Sequence, residues 1–201
     1  MKHWGTVYLE SSDMVLRRFT MDDIQPMYEK WASDPDVTRF LSWAPHMSPE
    51  ITRDVVQNWI LRYRDQRFYQ WAIVPKALKH PIGSISIVNL NDAYETVEVG
   101  FCIGTAWWNQ GYTSLALRIL IQFFFEKVGV NRIEGKHVLS NPHSGMVMEK
   151  CGMQFEGIAR QAIRTHDRLF HDAKTYAIIR DDFRELCRAS MEKLAKKGIR
   201  P

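Results

Sequence analysis

The residues best suited to do chemistry in this 201-residue chain lie in two short segments. The first, VEVGFCIGTAWWNQGYTSLA, runs from Val97 to Ala116 and predicts a strand, a loop and a helix that begins near Gly111. Unpaired backbone N–H groups and a partial positive charge make a helix N-terminus suitable for a phosphate or pyrophosphate. Gly111 has no Cβ, so the backbone there allows such a ligand to approach closely. Neither GxGxxG nor GK[ST] occurs, so a dinucleotide fold or a P-loop is not indicated.

The second segment, NPHSGMVMEKCGMQFEG, runs from Asn141 to Gly157. Asn141 suits a helix N-cap, Pro142 suits the first helical position, and Ser144 falls on the first turn. Two interpretations stay open from these residues alone. Asn141 and Ser144 either only cap a helix, or they contact a ligand beside its free N–H groups.

Together, W-N-Q-G-Y and the later N-x-x-S-x-x-V-x-E-K-x-G-M-x-x-E-G resemble the two acetyl-CoA motifs of GNAT acetyltransferases. More narrowly, the chain resembles the RimJ/RimL group, which acetylates the N-termini of ribosomal proteins and has many relatives with other substrates. The segments VLRRF, FLSW, EVGF and YAII also fit that group, and the resemblance extends from about Met14 to Phe183.

This resemblance implies a role for each matching residue. Backbone groups of Phe101, Cys102 and Ile103 would pair with the pantetheine arm as if it were an extra strand. Asn141 would hydrogen-bond the pantetheine, and Ser144 would lie near the thioester sulfur. Main-chain N–H groups would wrap the pyrophosphate in the loop formed by Asn109, Gln110, Gly111, Tyr112, Thr113 and Ser114.

The chain departs from the family pattern at three positions. Thr113 and Leu115 replace the alanine and glutamate of the usual G-Y-A-T-E-A, which leaves backbone binding of phosphate possible but removes the glutamate's role. Met148 occupies the position where many superfamily members have a tyrosine that protonates the leaving thiolate. Ser144 is therefore the expected proton donor.

The resemblance implies direct attack of an amine on the acetyl carbonyl within a ternary complex. Because an amine is mostly protonated at pH 7, a base must take its proton. Glu98, in EVGF, is the candidate base, with its side chain on the face opposite Val97 and Val99. A solvent-facing strand carboxylate is the alternative interpretation of Glu98, and Glu95 is the reserve candidate.

A mixed α/β fold must position these residues, because strand patterns alternate with helix patterns only in the middle and late parts of the chain. We expect one domain over residues 1–201, with a GNAT-like, mostly antiparallel sheet of about six to seven strands and helices on both faces. The predicted strands are Val7–Glu10, Met14–Phe19, Tyr69–Val74, Ile82–Leu90, Val97–Ile103, Arg132–Val138, Phe155–Ala162 and Lys174–Ile179. Helices are predicted from the Thr20–Asp23 capping box to about Ser33, from Ser48, from Thr113 to Val128, from Asn141 to Gly152 and from Asp181.

Composition limits the function further. A net charge of +4, spread along the chain apart from a basic C-terminus that includes Lys197 and Arg200, suits an anionic small ligand or simply a solvated surface. It is too weak for a nucleic-acid footprint. Three widely spaced cysteines and no long apolar segment predict a reduced, cytoplasmic protein that does not bind membranes. His166 and His171 do not have metal-ligand spacing, and no metal is expected.

The predicted partners are therefore acetyl-CoA, as co-substrate, and an amine acceptor, either a protein N-terminus or a small molecule. The protein would act as a monomer or a homodimer. A non-catalytic acyl-CoA-binding protein with the same fold is the main alternative, while a Rossmann-type enzyme lacks its glycine motif.

Overall fold

The computed structural model describes residues 1–196, so Lys197 and Arg200 of the basic C-terminus lie outside the described residues. Its eight strands form one sheet, in the order β1-β2-β3-β4-β5-β6-β8-β7. The count of eight exceeds the expected six to seven by one, and it includes the short β1, which pairs with β2 as a hairpin within the predicted Val7–Glu10 strand. The strands are β1 (Leu9–Glu10), β2 (Met14–Arg17), β3 (Gln70–Pro75), β4 (Gly83–Asn91), β5 (Thr96–Ile103), β6 (Arg132–Val138), β7 (Gln154–Arg164) and β8 (Phe170–Ile179).

All neighbouring strands are antiparallel except β5 and β6. A parallel pair needs a crossover connection, and the long apolar helix between the two strands provides it. The mixed, mostly antiparallel sheet that the sequence predicted is confirmed. Strands β7 and β8 extend closer to their connecting turn than predicted, because cross-strand pairing continues to Arg164 and Phe170.

The helices are α1 (Ile24–Met27), α2 (Pro35–Thr38), α3 (Pro49–Arg62), α4 (Tyr112–Phe123), α5 (Pro142–Lys150) and α6 (Arg180–Lys196). The first predicted helix begins at its capping box, where the Thr20 N–H donates to Asp23 at 2.8 Å. It is less regular than expected: a 3-10 turn, α1 and a π-helical turn (Tyr28–Ala32) follow one another. Pro26 in α1 has no N–H to donate to the helical ladder, which favours such irregularity.

Each face of the sheet is covered by a different group of helices. The larger core packs α4 against Val97 and Val99 of β5 and Ile133 of β6. On the opposite face, α1 and α3 pack over Ala72 and Val74 of β3. Side chains of β5 alternate between these two faces, as the period of a strand requires. Within residues 1–196, no helix is both long and apolar enough to span a bilayer.

Candidate active site

Strands β5 and β6 separate halfway along β5. Their parallel pairing runs from Thr96↔Arg132 to Val99↔Gly135 and ends there. On the other side of β5, pairing with β4 continues to Gly83↔Ile103. The last four residues of β5 therefore have an edge that no strand covers within the described structure. An extended chain could hydrogen-bond along this edge as an additional strand, and we call the opening between the two strands the gap.

Phe101, Cys102 and Ile103 form the β5 side of the gap. Phe101 and Cys102 are half-buried, while Ile103 is buried and its carbonyl already accepts the Trp108 indole N–H at 2.9 Å. Cys102 Sγ lies 3.4 Å from Ser84 Oγ, and burial raises the pKa of the Cys102 thiol. The thiol therefore stays protonated at neutral pH. What this part of β5 offers a ligand is mainly its backbone.

The N-terminus of α4 is open and unpaired. Gly111 has a φ of +84° and Asn109 a φ of +60°, and the loop from Asn109 to Gly111 is exposed. A Cβ at Gly111 would meet no atom within 4 Å. The first helical bond joins the Leu115 N–H to the Gly111 carbonyl at 3.0 Å. In the described structure, the N–H groups of Tyr112, Thr113 and Ser114 have no backbone acceptor and no side-chain cap, so they can bind an anion.

On the β6 side of the gap, Asn141 and Ser144 stand at the start of α5. The Asn141 side chain does not cap the helix; its Nδ2 donates to Ser144 Oγ at 3.1 Å. Asn141 therefore occupies the N-cap position, as predicted, but makes no side-chain cap bond. The two side chains form a half-buried polar pair, with hydroxyl and amide groups able to contact a ligand.

Met148 cannot perform the role of the missing tyrosine. It is buried, and a Cβ at Gly135 of β6 would lie 2.5 Å from Met148 Sδ. The side chain thus fills the space between α5 and β6. Among the residues of the second motif, Ser144 carries the hydroxyl group that could donate a proton, and it lies on the first turn of α5.

Glu98 lies opposite the buried Val97 and Val99, on the same face of β5 as Cys102. It faces a cavity of about 290 Å³ that is also lined by Asn89, Tyr94 and Glu134. Its carboxylate is not free, however, because Lys136 Nζ lies 2.9 Å from Glu98 Oε2. The Glu98 side chain is 17% exposed, so it is half-buried rather than fully solvent-facing.

Lys136 was not among the residues predicted from the sequence. The alternating pattern of β6 predicts that Arg132, Glu134 and Lys136 share one face. Their partners, however, depend on the parallel register of β6 with β5. Glu134 lies opposite Glu98 and is held by Arg132 at 2.7 Å. The reserve base, Glu95, lies in the exposed turn before β5 with a φ of +51°.

In the part of the chain that the structure describes, the two histidines near the β7–β8 turn, His166 and His171, are not part of a metal-binding group. Among residues 1–196 no group of three or more His, Cys, Asp or Glu side chains could hold a metal ion. His171 is half-buried, and its Nε2 lies 2.9 Å from Thr165 Oγ1 at the β7–β8 turn.

Comparison with known proteins identifies the family to which this chain belongs. A family profile described as an acetyltransferase (GNAT) domain matches residues 13–154. The chain is 26% identical over 172 residues to the uncharacterized N-acetyltransferase YoaA of Bacillus subtilis, covering 86% of this chain and 96% of that one. It is 27% identical over 173 residues to the ribosomal-protein-serine acetyltransferase of Escherichia coli, covering 85% and 95%.

A solved structure shares the fold. The ribosomal L7/L12 alpha-N-protein acetyltransferase RimL, in complex with coenzyme A, superposes with a TM-score of 0.76 at 21% identity. The superposition covers 88% of this chain and 99% of that one. The profile match includes β2 to β6, α4, α5 and both sides of the gap, and by that match this chain belongs to the GNAT acetyltransferase family.

Proposed function

We propose that this protein transfers the acetyl group of acetyl-CoA to a primary amine by direct attack in a ternary complex. The observation that carries the proposal is the gap, with the uncovered edge of β5 on one side and the free N–H groups of α4 at its end. An extended pantetheine arm ending in a pyrophosphate needs both features.

The residues of the gap have separate roles in binding. Main-chain groups of Phe101 and Cys102 pair with the pantetheine, while the Ile103 carbonyl is already engaged by Trp108. The N–H groups of Tyr112, Thr113 and Ser114 bind the pyrophosphate, and the backbone of Asn109, Gln110 and Gly111 lets it approach. Asn141 hydrogen-bonds the pantetheine from the side of α5.

Acetyl-CoA supplies the acetyl group as a thioester; the amine nitrogen forms a bond to the carbonyl carbon and the carbon–sulfur bond breaks. Glu98, directly or through a water molecule, takes the proton that the amine loses. A main-chain N–H in the stretch from Phe101 to Ile103 donates to the oxyanion. Ser144 donates a proton to the departing sulfur. Holding both substrates in the gap supplies much of the acceleration, since effective molarity is worth up to ~7–11 kcal/mol.

The acceptor is a protein N-terminus or a small amine. The names of two relatives, a ribosomal-protein-serine acetyltransferase and an L7/L12 alpha-N-protein acetyltransferase, support a protein N-terminus. The three free thiols, Cys102, Cys151 and Cys187, support a reducing, cytoplasmic location. We propose that the protein has no nucleic-acid or membrane partner. We also propose that it acts as a monomer or a homodimer.

A turnover assay tests the function. The protein is mixed with acetyl-CoA and a panel of peptides with free N-termini, polyamines, amino acids and aminoglycosides, and free thiol is measured. We expect thiol release that depends on one class of amine. Tight binding of acetyl-CoA in calorimetry without turnover on any amine would instead identify a non-catalytic acyl-CoA-binding protein.

The role of Glu98 is tested with Glu98→Gln. We expect kcat/KM to fall most near neutral pH and to recover as the pH approaches the pKa of the acceptor amine, because free amine then needs no base. Glu134→Gln is the matched control, since Glu134 lies opposite Glu98, lines the same cavity and has its own partner in Arg132. A loss that is the same at every pH would indicate that Glu98 only positions the acceptor.

A further inference from the structure

The first turn of α5 contacts β6 unusually closely, at a residue that plays no part in the proposed chemistry. Gly145 of α5 is buried against His137 of β6 and Tyr176 of β8. A Cβ at position 145 would lie 2.7 Å from His137 Nε2 and 2.9 Å from the Tyr176 hydroxyl oxygen. Both distances are too short for non-bonded atoms, so only glycine fits unless the rings move.

Neither ring is free to move. His137 is 4% exposed, and its Nδ1 lies 2.8 Å from the Val138 carbonyl oxygen. The rings of His137 and Tyr176 stack with centroids 5.6 Å apart. The Tyr176 hydroxyl donates to Glu149, also on α5, at 3.2 Å. Burial, together with Glu149, raises the pKa of Tyr176, so this hydroxyl keeps the proton that it donates.

The protonation state of His137 follows from these contacts. A carbonyl oxygen only accepts hydrogen bonds, so Nδ1 carries the proton and Nε2 has the lone pair. Within the described structure, this buried Nε2 has no hydrogen-bond partner. Burial lowers the pKa of His137, so the ring is neutral at pH 7. A neutral Nε2 can face the CH₂ group of Gly145 directly, whereas a protonated one would present an unsatisfied N–H there.

The position of this turn matters because it carries Asn141 and Ser144. The two side chains bond to each other rather than to the free N–H groups of the helix. Side-chain capping therefore does not fix the start of α5. A backbone bond from the Asn141 N–H to the Val138 carbonyl, at 2.9 Å, and the close contact of Gly145 with the two rings hold this turn against β6 and β8.

We infer that His137, Tyr176 and Gly145 are positioning residues that fix the first turn of α5 against β6, and so hold Asn141 and Ser144 at the gap. This inference rests on the proposed function, in which Asn141 and Ser144 contact acetyl-CoA. It assigns a role to a buried histidine that the chemistry does not use.

The test is Gly145→Ala, with CoA affinity measured by calorimetry. Alanine is the better helix former, so without the contact the substitution would stabilise the protein. We expect the opposite: lower stability and CoA binding weaker by about tenfold, or ~1.4 kcal/mol of binding free energy. Met146→Ala is the control, since Met146 is the next residue of α5 and is 43% exposed.

A second substitution identifies the cause. In Gly145→Ala combined with His137→Ala, the new methyl group occupies space that the ring has left, so CoA should bind more tightly than to Gly145→Ala alone. A role in stability alone predicts no such recovery of affinity. Wild-type affinity in folded Gly145→Ala would overturn the inference, whereas a wild-type protein that binds no CoA would overturn the proposed function instead.

A measurement on the unaltered protein covers the case in which Gly145→Ala does not fold. The ¹⁵N resonances of His137 at pH 7 should be those of a neutral ring protonated at Nδ1. A ring protonated at Nε2 would contradict the inference, because that proton would point at Gly145.

Discussion

The two helices that begin at the gap, α4 and α5, have opposite kinds of N-terminus. At the start of α4, Gly111 adopts a φ of +84° in open space, and the first N–H groups have no backbone acceptor in the described structure. At the start of α5, Gly145 lies so close to His137 and Tyr176 that a Cβ would not fit. One glycine is needed for its backbone conformation, the other for its lack of a side chain.

This difference matches what each end would bind. A pyrophosphate is held by several backbone N–H groups and needs room to reach them, so an exposed loop serves it well. A thioester must be held within about 0.5 Å of its productive position relative to the attacking amine, so the groups beside it need rigid support. In the proposed function, one helix end would therefore bind the charge of the cofactor and the other would help to place the reacting atoms.

The largest expected effect is on CoA affinity, from Gly111→Val at the open N-terminus of α4. The side chain enters the space that the pyrophosphate would occupy, so we expect CoA affinity in calorimetry to fall by more than about tenfold, or ~1.4 kcal/mol. Gly129→Val is a matched control, because Gly129 has a φ of +83°, has no neighbour within 4 Å of a Cβ and follows the other end of the same helical segment.

Both valine variants carry a left-handed strain of about 1–2 kcal/mol in unfolding free energy. They should therefore lose similar stability but differ in CoA affinity. Equal affinities in the two folded variants would remove the pyrophosphate from the N-terminus of α4.

A smaller effect is expected at the closely packed N-terminus of α5, from Ser144→Ala. We expect kcat to fall by about tenfold while KM for acetyl-CoA changes little, because the hydroxyl acts on the departing sulfur. Asn141→Ala should instead raise KM. It should barely change the unfolding free energy, because Asn141 makes no side-chain cap bond.

Ser140→Ala is the control for both variants, since Ser140 lies in the same loop and is exposed. If both substitutions lowered stability alone and left kcat and KM unchanged, the pair would have no part in the reaction, and the comparison between the two helix ends would lose its functional meaning.

The smallest effect is on stability in acid. Burial lowers the pKa of His137 beneath α5 and of His46, which contacts Thr52 of α3. In the unfolded chain both titrate near pH 6.5, so below that pH the unfolded state binds more protons. Stability is therefore complete above about pH 6.5 and falls as the pH drops toward the lowered values, by at most ~1.4 kcal/mol per pH unit for each ring.

Chemical unfolding at several pH values between 5 and 8 checks this prediction. His137→Asn and His46→Asn should each reduce the slope of unfolding free energy against pH. If neither substitution changes the slope, the two buried rings do not contribute to the acid sensitivity.

Much of the fold could be predicted because its signals are local. The alternation in β4 and β5, the Thr20–Asp23 capping box and the Pro142 start of α5 each depend on residues only a few positions apart. The parts predicted less well depend on distant residues. The β7–β8 hairpin is longer than its alternating pattern because pairing between the strands continues through polar residues.

The same division holds for the site. The sequence alone identified which residues stand at the starts of α4 and α5, since Gly111 and Asn141-Pro142 are local signals for a turn and a helix start. It also determined the direction of Glu98, because the strand period puts Glu98 opposite Val97 and Val99.

Three features became visible only in the folded chain: the point where β5 and β6 separate, the pairing of Lys136 with Glu98, and the position of His137 beneath Gly145. These contacts join residues on different elements, and a shift of one residue in strand register would turn each side chain to the other face. Register is set by packing of the whole sheet against its helices, which no short stretch of sequence encodes.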